Sequence, residues 1–148
     1  MLKHLLPKSD KLFSVIFTQY AQRHYLNEFK KKYKGKIWDY TEESIIQDIS
    51  RLRIKNNTTQ ESNQIDEYKY KEGEWLAKYD FKIAGTKMSS KASGNRCILY
   101  INDEKDIVEI LMIYAKTNLP KNKDETKFIM DELSKNYDNK VKNLILNK

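Results

Sequence analysis

Hydrophobic positions follow a helical period in the first third of the chain and a strand period in its middle. A β-branched and aromatic run centred on residues 15–17 predicts an opening strand, and Thr18 is placed to cap the helix that follows. Apolar residues then recur at helical spacing as far as Gly35, where the first helix is predicted to end. Asp39 or Thr41 is predicted to cap a second helix, so the two helices are expected to form a hairpin.

A period of two begins at Trp75 and marks the central strands. In "WLAKYDFKI" one set of alternate residues is apolar, and the other set contains Lys78, Asp80 and Lys82. The run "RCILYI" continues the alternation from Arg96, and "IVEILMIYAK" is apolar almost throughout, as expected of a strand covered on both faces. We therefore predict three antiparallel strands whose charged side chains lie on one open, cationic face of the sheet.

The remaining segments complete an α+β fold. The polar stretch 55–73 is predicted to be a surface loop, with a short strand over residues 65–70 as an open alternative. After Pro120, a last helix is predicted to begin at Asp124. The predicted order is β-αα-βββ-α, in which an N-terminal strand and a helical hairpin pack on an antiparallel sheet that is followed by a C-terminal helix.

The whole chain, residues 1–148, is predicted to form a single domain. The segments on either side of the stretch 55–73 are too short to build separate hydrophobic cores. The ends, 1–12 and 139–148, are predicted to be either disordered or held by a partner. The apolar spacing of Val141 and Leu144 also allows the last helix to continue towards the C-terminus.

Composition narrows the class of protein and its compartment. The 148 residues are 39% hydrophobic and 33% charged, include no apolar run near the roughly 20 residues of a membrane span, and begin with a segment too polar for a signal peptide. The single cysteine, Cys97, lies in an apolar run, which predicts a reduced core thiol, and makes no metal-ligand pattern with His4 and His24. We predict a cytoplasmic protein with no metal, no cofactor and no membrane partner.

A formal net charge of +7 indicates a polyanionic partner. Residues 81–101, "FKIAGTKMSSKASGNRCILYI", contain several cations and include a loop rich in glycine, serine and lysine that joins two strands. We interpret this loop and its flanking strands as a surface that receives RNA phosphates. Lysine accumulation through an AT-rich coding sequence is the alternative source of the charge.

The same segment carries a resemblance to a known family. Small residues lead to an arginine and an apolar strand in "SGNR" (93–96), and the next strand ends in "YAK" (114–116). With the opening strand that ends in "FTQYAQ", these motifs resemble the RelE-type toxins, which are mRNA endoribonucleases of toxin–antitoxin pairs. The resemblance covers residues 13–137. This chain has Thr117 where the family often has a further basic residue.

The resemblance implies the toxin of a type II toxin–antitoxin system, acting as a metal-independent mRNA interferase. In such toxins the sheet receives mRNA, commonly in the ribosomal A site, and a ribose 2′-hydroxyl attacks the adjacent phosphate. A cognate antitoxin protein would neutralise the toxin by wrapping around it or by displacing a terminal helix.

Alternation along the strands selects the residues for this chemistry. Arg96 is the first choice for a phosphate clamp, because its planar guanidinium can bind two phosphate oxygens together. Lys78 or Lys82 is the candidate general base, and Tyr114 is placed to protonate the leaving 5′-oxygen or to stack on a base. Asp80 is expected to orient the neighbouring cations. The predicted catalytic residues are Lys78, Lys82, Arg96, Tyr114 and Lys116, and the predicted RNA-binding residues of the loop are Lys87 and Lys91.

These residues also have structural interpretations. Lys78 and Lys82 fit an ordinary solvated strand face, and Arg96 fits a salt-bridge partner of Asp80. Two other functions therefore stay open. One is a non-catalytic nucleic-acid-binding or regulatory protein on the same fold, for example from a mobile element. The other is a structural or interaction protein whose basicity has no function of its own.

Overall fold

A five-stranded mixed sheet organises the residues that the computed structural model describes, which are 12–52, 65–120 and 124–146. The strands are β1 (Ser14–Phe17), β2 (Ile65–Lys71), β3 (Glu74–Phe81), β4 (Asn95–Asn102) and β5 (Ile107–Ala115). They lie in the order β1-β5-β4-β3-β2. Strands β2 to β5 pair antiparallel, whereas β1 pairs parallel with β5. The predicted α+β class is confirmed, and the optional strand at 65–70 is present as β2.

The helices fall into an N-terminal and a C-terminal group, with one short helix between them. The N-terminal group is α1 (Gln19–Ala21), a π-helical turn (Gln22–Leu26), α2 (Asn27–Lys32) and α3 (Lys36–Ser50). The rest are α4 (Ser90–Ser93), a 3-10 turn (Lys116–Asn118), α5 (Glu125–Asn136) and α6 (Asn139–Leu146). Within the described ranges, no helix combines the length and the apolar character that a membrane crossing requires.

The predicted cap at Thr18 is confirmed, and Asp124, predicted as the start of the last helix, is the cap of α5. The hydroxyl of Thr18 accepts a hydrogen bond from the backbone N–H of Ala21, with 3.2 Å between N and Oγ1. The carboxylate of Asp124 accepts one from the backbone N–H of Lys127 over 3.0 Å. In each case a short polar side chain satisfies an N–H group of the first turn that has no partner within the helix.

The predicted start of the second helix is wrong. Helix α3 begins at Lys36, so Asp39 and Thr41 lie inside it. Gly35 has a φ of 70°, a conformation that favours glycine, and this reversal lets the helix begin at the next residue. The Thr41 hydroxyl instead donates to the carbonyl oxygen of Ile37, one turn earlier, over 2.8 Å.

One face of the sheet packs against the N-terminal helices. An aromatic group of Phe29, Trp38 and Phe81, with ring centroids 5.3 to 6.4 Å apart, joins α2 and α3 to β3. The alternate apolar residues predicted for one face of β3 all belong to this core: Trp75, Ala77, Tyr79, Phe81 and Ile83. The alternation therefore predicted this face of β3 correctly.

The opposite face packs against the C-terminal helices, so the predicted open face is not open. Leu76 of β3, Ile98 of β4 and Met112 of β5 form a second core with residues of α5 and α6, among them Leu133 and Val141. The apolar spacing of Val141 and Leu144 correctly indicated a helix near the C-terminus, but that helix is separate: α5 ends at Asn136, and α6 spans Asn139–Leu146. The predicted N-terminal end lies outside the described residues except for residue 12.

Removal of a side chain from α5 tests whether this helix covers the sheet. Leu133 is fully buried, so Leu133→Ala should lower the free energy of unfolding by roughly 2–5 kcal/mol, as expected for a truncated core leucine. Chemical denaturation monitored by circular dichroism measures the change. Lys135→Ala, an exposed site on the same helix, should change stability by no more than about 0.5 kcal/mol. Equal effects of the two substitutions would mean that α5 does not pack on the sheet.

Candidate functional site

Three of the predicted site residues come together in a row across neighbouring strands. Asp80 of β3 pairs with Arg96 of β4, and Arg96 pairs with Tyr114 of β5. A bulge in β5 contributes to this arrangement. Ile98 pairs with Met112 and Leu99 pairs with Ile110, so Leu111 has no partner on β4. The extra residue shifts the alternation of β5 and places Tyr114 on the side of the sheet that faces α5 and α6.

A fourth residue, Glu125, completes this cluster from the first position of α5. Arg96 donates from Nε to Oδ1 of Asp80 over 3.2 Å and from Nη1 to Oε1 of Glu125. The Tyr114 hydroxyl donates to the other carboxylate oxygen, Oε2, over 2.6 Å. Arg96 is only 9% exposed. We refer to Asp80, Arg96, Tyr114 and Glu125 as the arginine cluster.

The protonation states in the arginine cluster follow from burial and from these hydrogen bonds. Burial raises the pKa of Asp80, and the nearby charges of Lys78 and Arg96 oppose this only in part. Burial also acts to raise the pKa of Glu125, but the hydrogen bonds from Arg96 and Tyr114 outweigh it, so the pKa lies below its usual value. Burial and the hydrogen bond to Glu125 raise the pKa of Tyr114. At neutral pH, Glu125 is therefore ionised and Tyr114 is a neutral donor.

The arginine cluster is not the concentration of positive charge that the strand pattern predicted. Lys78 lies beside it, but its Nζ is 3.4 Å from Oδ2 of Asp66 on β2. Two cations, Lys78 and Arg96, thus face three carboxylates, those of Asp66, Asp80 and Glu125. The prediction failed because β2 and α5 each bring an acidic residue that the alternation of β3, β4 and β5 does not reveal.

The other predicted cations do not join the cluster. Lys82 follows the end of β3 and lines a cavity of about 240 Å³ with Thr41 and Asp48 of α3, on the opposite face of the sheet. Lys116 lies in the 3-10 turn after β5, where its backbone N–H donates to the carbonyl oxygen of Gly94 over 2.7 Å. Lys87 and Lys91 are exposed in the loop and on α4. Their predicted electrostatic role stays a prediction.

A second feature is a cleft of about 470 Å³ between α2 and the adjoining ends of β4 and β5. Lys31, Lys32 and Tyr33 line one side of the cleft. Asn95 and the 3-10 turn residues Thr117 and Asn118 line the other. We refer to this feature as the lysine cleft.

The lysine cleft was missed by the strand-based analysis, although the sequence contains a signal for it. Residues 30–36 read "KKKYKGK", five lysines in seven positions, and all five are exposed. Phe29 and Tyr33 fall on the apolar face of the first predicted helix, so helix packing alone accounts for this segment without reference to its charge. Glu125 gave no comparable signal, since an acidic residue in the first turn of a helix is expected for its favourable interaction with the helix dipole.

Cys97 is confirmed as a core thiol, since it is free and fully buried. Burial raises its pKa well above the usual value, so the sulfur is protonated and unsuited to nucleophilic chemistry. Among residues 12–52, 65–120 and 124–146, no three His, Cys, Asp or Glu side chains are grouped so that they could hold a metal ion.

Comparison with known proteins identifies no family. No protein-family model, curated protein or solved structure matches this chain. The RelE-type resemblance therefore rests on the residues quoted above, and the activity it implies is a proposal.

The link between Glu125 and Arg96 should make stability depend on pH below 4.5. Because the pKa of Glu125 is lowered on folding, its contribution is complete above the ordinary value of 4.5 and is lost as the pH falls through the folded-state pKa. Glu125→Gln should therefore cost roughly 1–3 kcal/mol at pH 7, and the difference from the wild type should shrink as the pH falls below 4.5.

Denaturant titrations of the wild type and the Glu125→Gln variant at several pH values measure this difference. Glu104→Gln, in the exposed turn between β4 and β5, is the matched control and should leave stability unchanged to within about 0.5 kcal/mol at every pH. A Glu125→Gln cost that does not change with pH would show that the ionised carboxylate is not what holds Arg96.

Proposed function

We propose that this protein is the toxin of a type II toxin–antitoxin system, a cytoplasmic RelE-type endoribonuclease that cleaves mRNA in the ribosomal A site. The observation that supports this proposal most directly is that Arg96 and Tyr114 donate to the two oxygens of a single carboxylate. A phosphate diester likewise offers neighbouring oxygens to two donors, the non-bridging oxygens that share its negative charge and the leaving 5′-oxygen, and buried donors aimed at them would stabilise the charge that develops during cleavage. The order of strands and helices agrees with the fold that the resemblance implies.

The proposed reaction uses these donors at the scissile phosphate. The ribose 2′-oxygen forms a bond to phosphorus as the bond to the 5′-oxygen breaks, which leaves a cyclic phosphate and a 5′-hydroxyl. Arg96, oriented by Asp80, would bind the non-bridging oxygens, and Tyr114 would donate to the leaving oxygen. The 2′-proton would pass to a general base, and Lys78 beside the arginine cluster can act as that base only once its ammonium group, paired with Asp66 in the free protein, has lost a proton. Lys82 lies on the other face of the sheet and is less well placed.

Glu125 occupies the position that the phosphate would take. An incoming phosphate must displace this carboxylate, so the start of α5 has to move before Arg96 can bind RNA. In this proposal the arrangement with Glu125 is the closed state of the site. Opening then requires contacts that stabilise the displaced helix, which the ribosome or the message would supply.

A second candidate function is nucleic-acid binding without cleavage. The observation that favours it is the charge around Arg96, where three carboxylates face two cations. The lysines of residues 30–36, in contrast, are exposed at the surface, where they could bind a polyanion. In that case Arg96 would be a structural ion-pair residue. The two candidates differ in whether RNA is cut.

Expression of the wild-type chain should arrest growth and create new 5′ ends within translated messages. Arg96→Lys keeps the positive charge but loses the planar fork, so cleavage should fall on the order of 100-fold or more, in line with the loss of one transition-state donor. Tyr114→Phe, which removes only the hydroxyl, should also slow cleavage. Mapping of 5′ ends and growth curves measure both effects.

Because Arg96 is buried, each variant must first show the wild-type circular dichroism spectrum and a cooperative unfolding transition. Lys135→Ala serves as the surface control and should arrest growth as the wild type does. Arrest that survives Arg96→Lys and Tyr114→Phe in folded protein would remove the arginine cluster from the proposed mechanism. RNA binding with no new 5′ ends would favour the second candidate.

Weakening of the carboxylate that occupies the site should increase cleavage. Glu125→Gln replaces a charged acceptor with a neutral one, which weakens its hydrogen bonds by about 1 kcal/mol and should raise the cleavage rate several-fold. Single-turnover cleavage of a short RNA, with ribosomes and without them, measures the rate. A rate that falls instead would mean that Glu125 takes part in the chemistry, for example as the general base.

A further inference from the structure

We propose that the lysine cleft binds a single-stranded RNA segment, with a phosphate at Lys31 and Lys32 and a base at Tyr33 and Asn95. The cleft volume, about 470 Å³, is within the range of about 300–1,000 Å³ that small-ligand sites occupy. The identification of the ligand as RNA rests on the proposed function. The existence of the cleft does not, because its volume and its lining residues are observed directly.

The charge of the cleft favours an anion. Among the described residues, Lys31 and Lys32 line it together with one carboxylate, that of Glu28. Lys116 adds positive charge at the margin, because the two residues that follow it in the same turn line the cleft. Lys31 and Lys32 are exposed, which leaves their ammonium groups available for phosphate contacts.

The same cleft contains groups suited to a nucleobase. Tyr33 is half-buried and stacks on Phe29, with 6.3 Å between ring centroids, so Phe29 holds the Tyr33 ring in position. The Nζ of Lys32 lies over the Tyr33 ring, 5.3 Å from its centroid, so a base that stacks on this ring would displace the ammonium group towards the neighbouring phosphate. Asn95 is buried and its amide offers both donors and acceptors. A base stacked on Tyr33 and a phosphate on Lys32 would satisfy both features.

The position of the cleft connects it to the arginine cluster. Asn95 pairs with Ala115, and the next pair along β4 and β5 is Arg96 with Tyr114. The cleft and the arginine cluster are therefore adjacent at one end of the same two strands, and Tyr114 of the cluster is also one of the residues that line the cleft. An RNA strand that bends around this end would contact the cleft with one nucleotide and reach Arg96 with a neighbouring phosphate.

Binding of a 12-nucleotide 2′-O-methyl RNA tests the cleft without chemistry, because this probe has no 2′-hydroxyl to attack the phosphate. Fluorescence anisotropy from 50 to 300 mM KCl gives the affinity and its salt slope. The double variant Lys31→Ala, Lys32→Ala removes both ammonium groups from the one bound phosphate, so it should reduce the salt slope by about 0.7, which corresponds to about fivefold weaker binding at 0.1 M salt.

Two further variants separate charge from stacking. Tyr33→Leu keeps an apolar side chain against Phe29 and should weaken binding roughly fivefold or more with the salt slope unchanged. The double variant Lys135→Ala, Lys142→Ala removes two exposed lysines from α5 and α6 and should leave both affinity and slope as in the wild type. All variants are compared after circular dichroism shows the wild-type fold.

The outcomes distinguish this inference from the proposed function. If the Lys31, Lys32 variant and the Lys135, Lys142 variant lose equal affinity for the probe, the proposed role of the lysine cleft is overturned. The same conclusion follows if the wild type does not bind the probe at 50 mM KCl. Cleavage of an all-ribose RNA by the Lys31, Lys32 double variant at the wild-type rate would overturn the cleft and leave the nuclease proposal standing. Probe binding that depends on Lys31, Lys32 and Tyr33, with no cleavage of any RNA, would support the cleft and refute the nuclease.

Discussion

Burial of β4 between two layers of helices is the constraint on which the rest of the structure depends. Residues 95–101 are all buried, with alternate side chains directed to the N-terminal and C-terminal helices. Such a strand tolerates a charged side chain only where partners compensate the loss of water. Arg96 is that side chain, and Asp80 and Glu125 are its partners. The start of α5 is thereby tied to the centre of the sheet by charge as well as by apolar packing.

This constraint determines how the Arg96 guanidinium could bind an anion. The guanidinium already donates to two carboxylates, so its donors are arranged for an anion. It is closed to solvent by α5, the helix that supplies one of those carboxylates. The exposed lysines of the lysine cleft, Lys31 and Lys32, lie on α2, away from this guanidinium. In the proposed function, the buried arginine cluster would recognise the scissile phosphate and the open lysine cleft would make the first contact with RNA.

The site could be predicted only in part. The pairing of Asp80 with Arg96 follows from alternation on adjacent strands, and it was one of the interpretations weighed for Arg96. Glu125 lies 29 residues further along the chain, in a position where acidic residues are common for a local reason, so no periodicity connects the two. Lys82 and Lys116 fall just beyond the ends of β3 and β5, where alternation no longer determines the direction of a side chain.

The sequence by itself determined the class of fold, the apolar face of β3, the caps at Thr18 and Asp124, and the buried thiol of Cys97. These features depend on local spacing and on the hydrogen-bonding capacity of single residues, and neither changes with the way distant segments pack together. The tertiary structure alone decided that the second face of the sheet is covered, that β5 has a bulge at Leu111, and that Glu125 completes the cluster. Those outcomes depend on which distant segments meet, because burial and charge compensation are properties of the packed assembly of strands and helices.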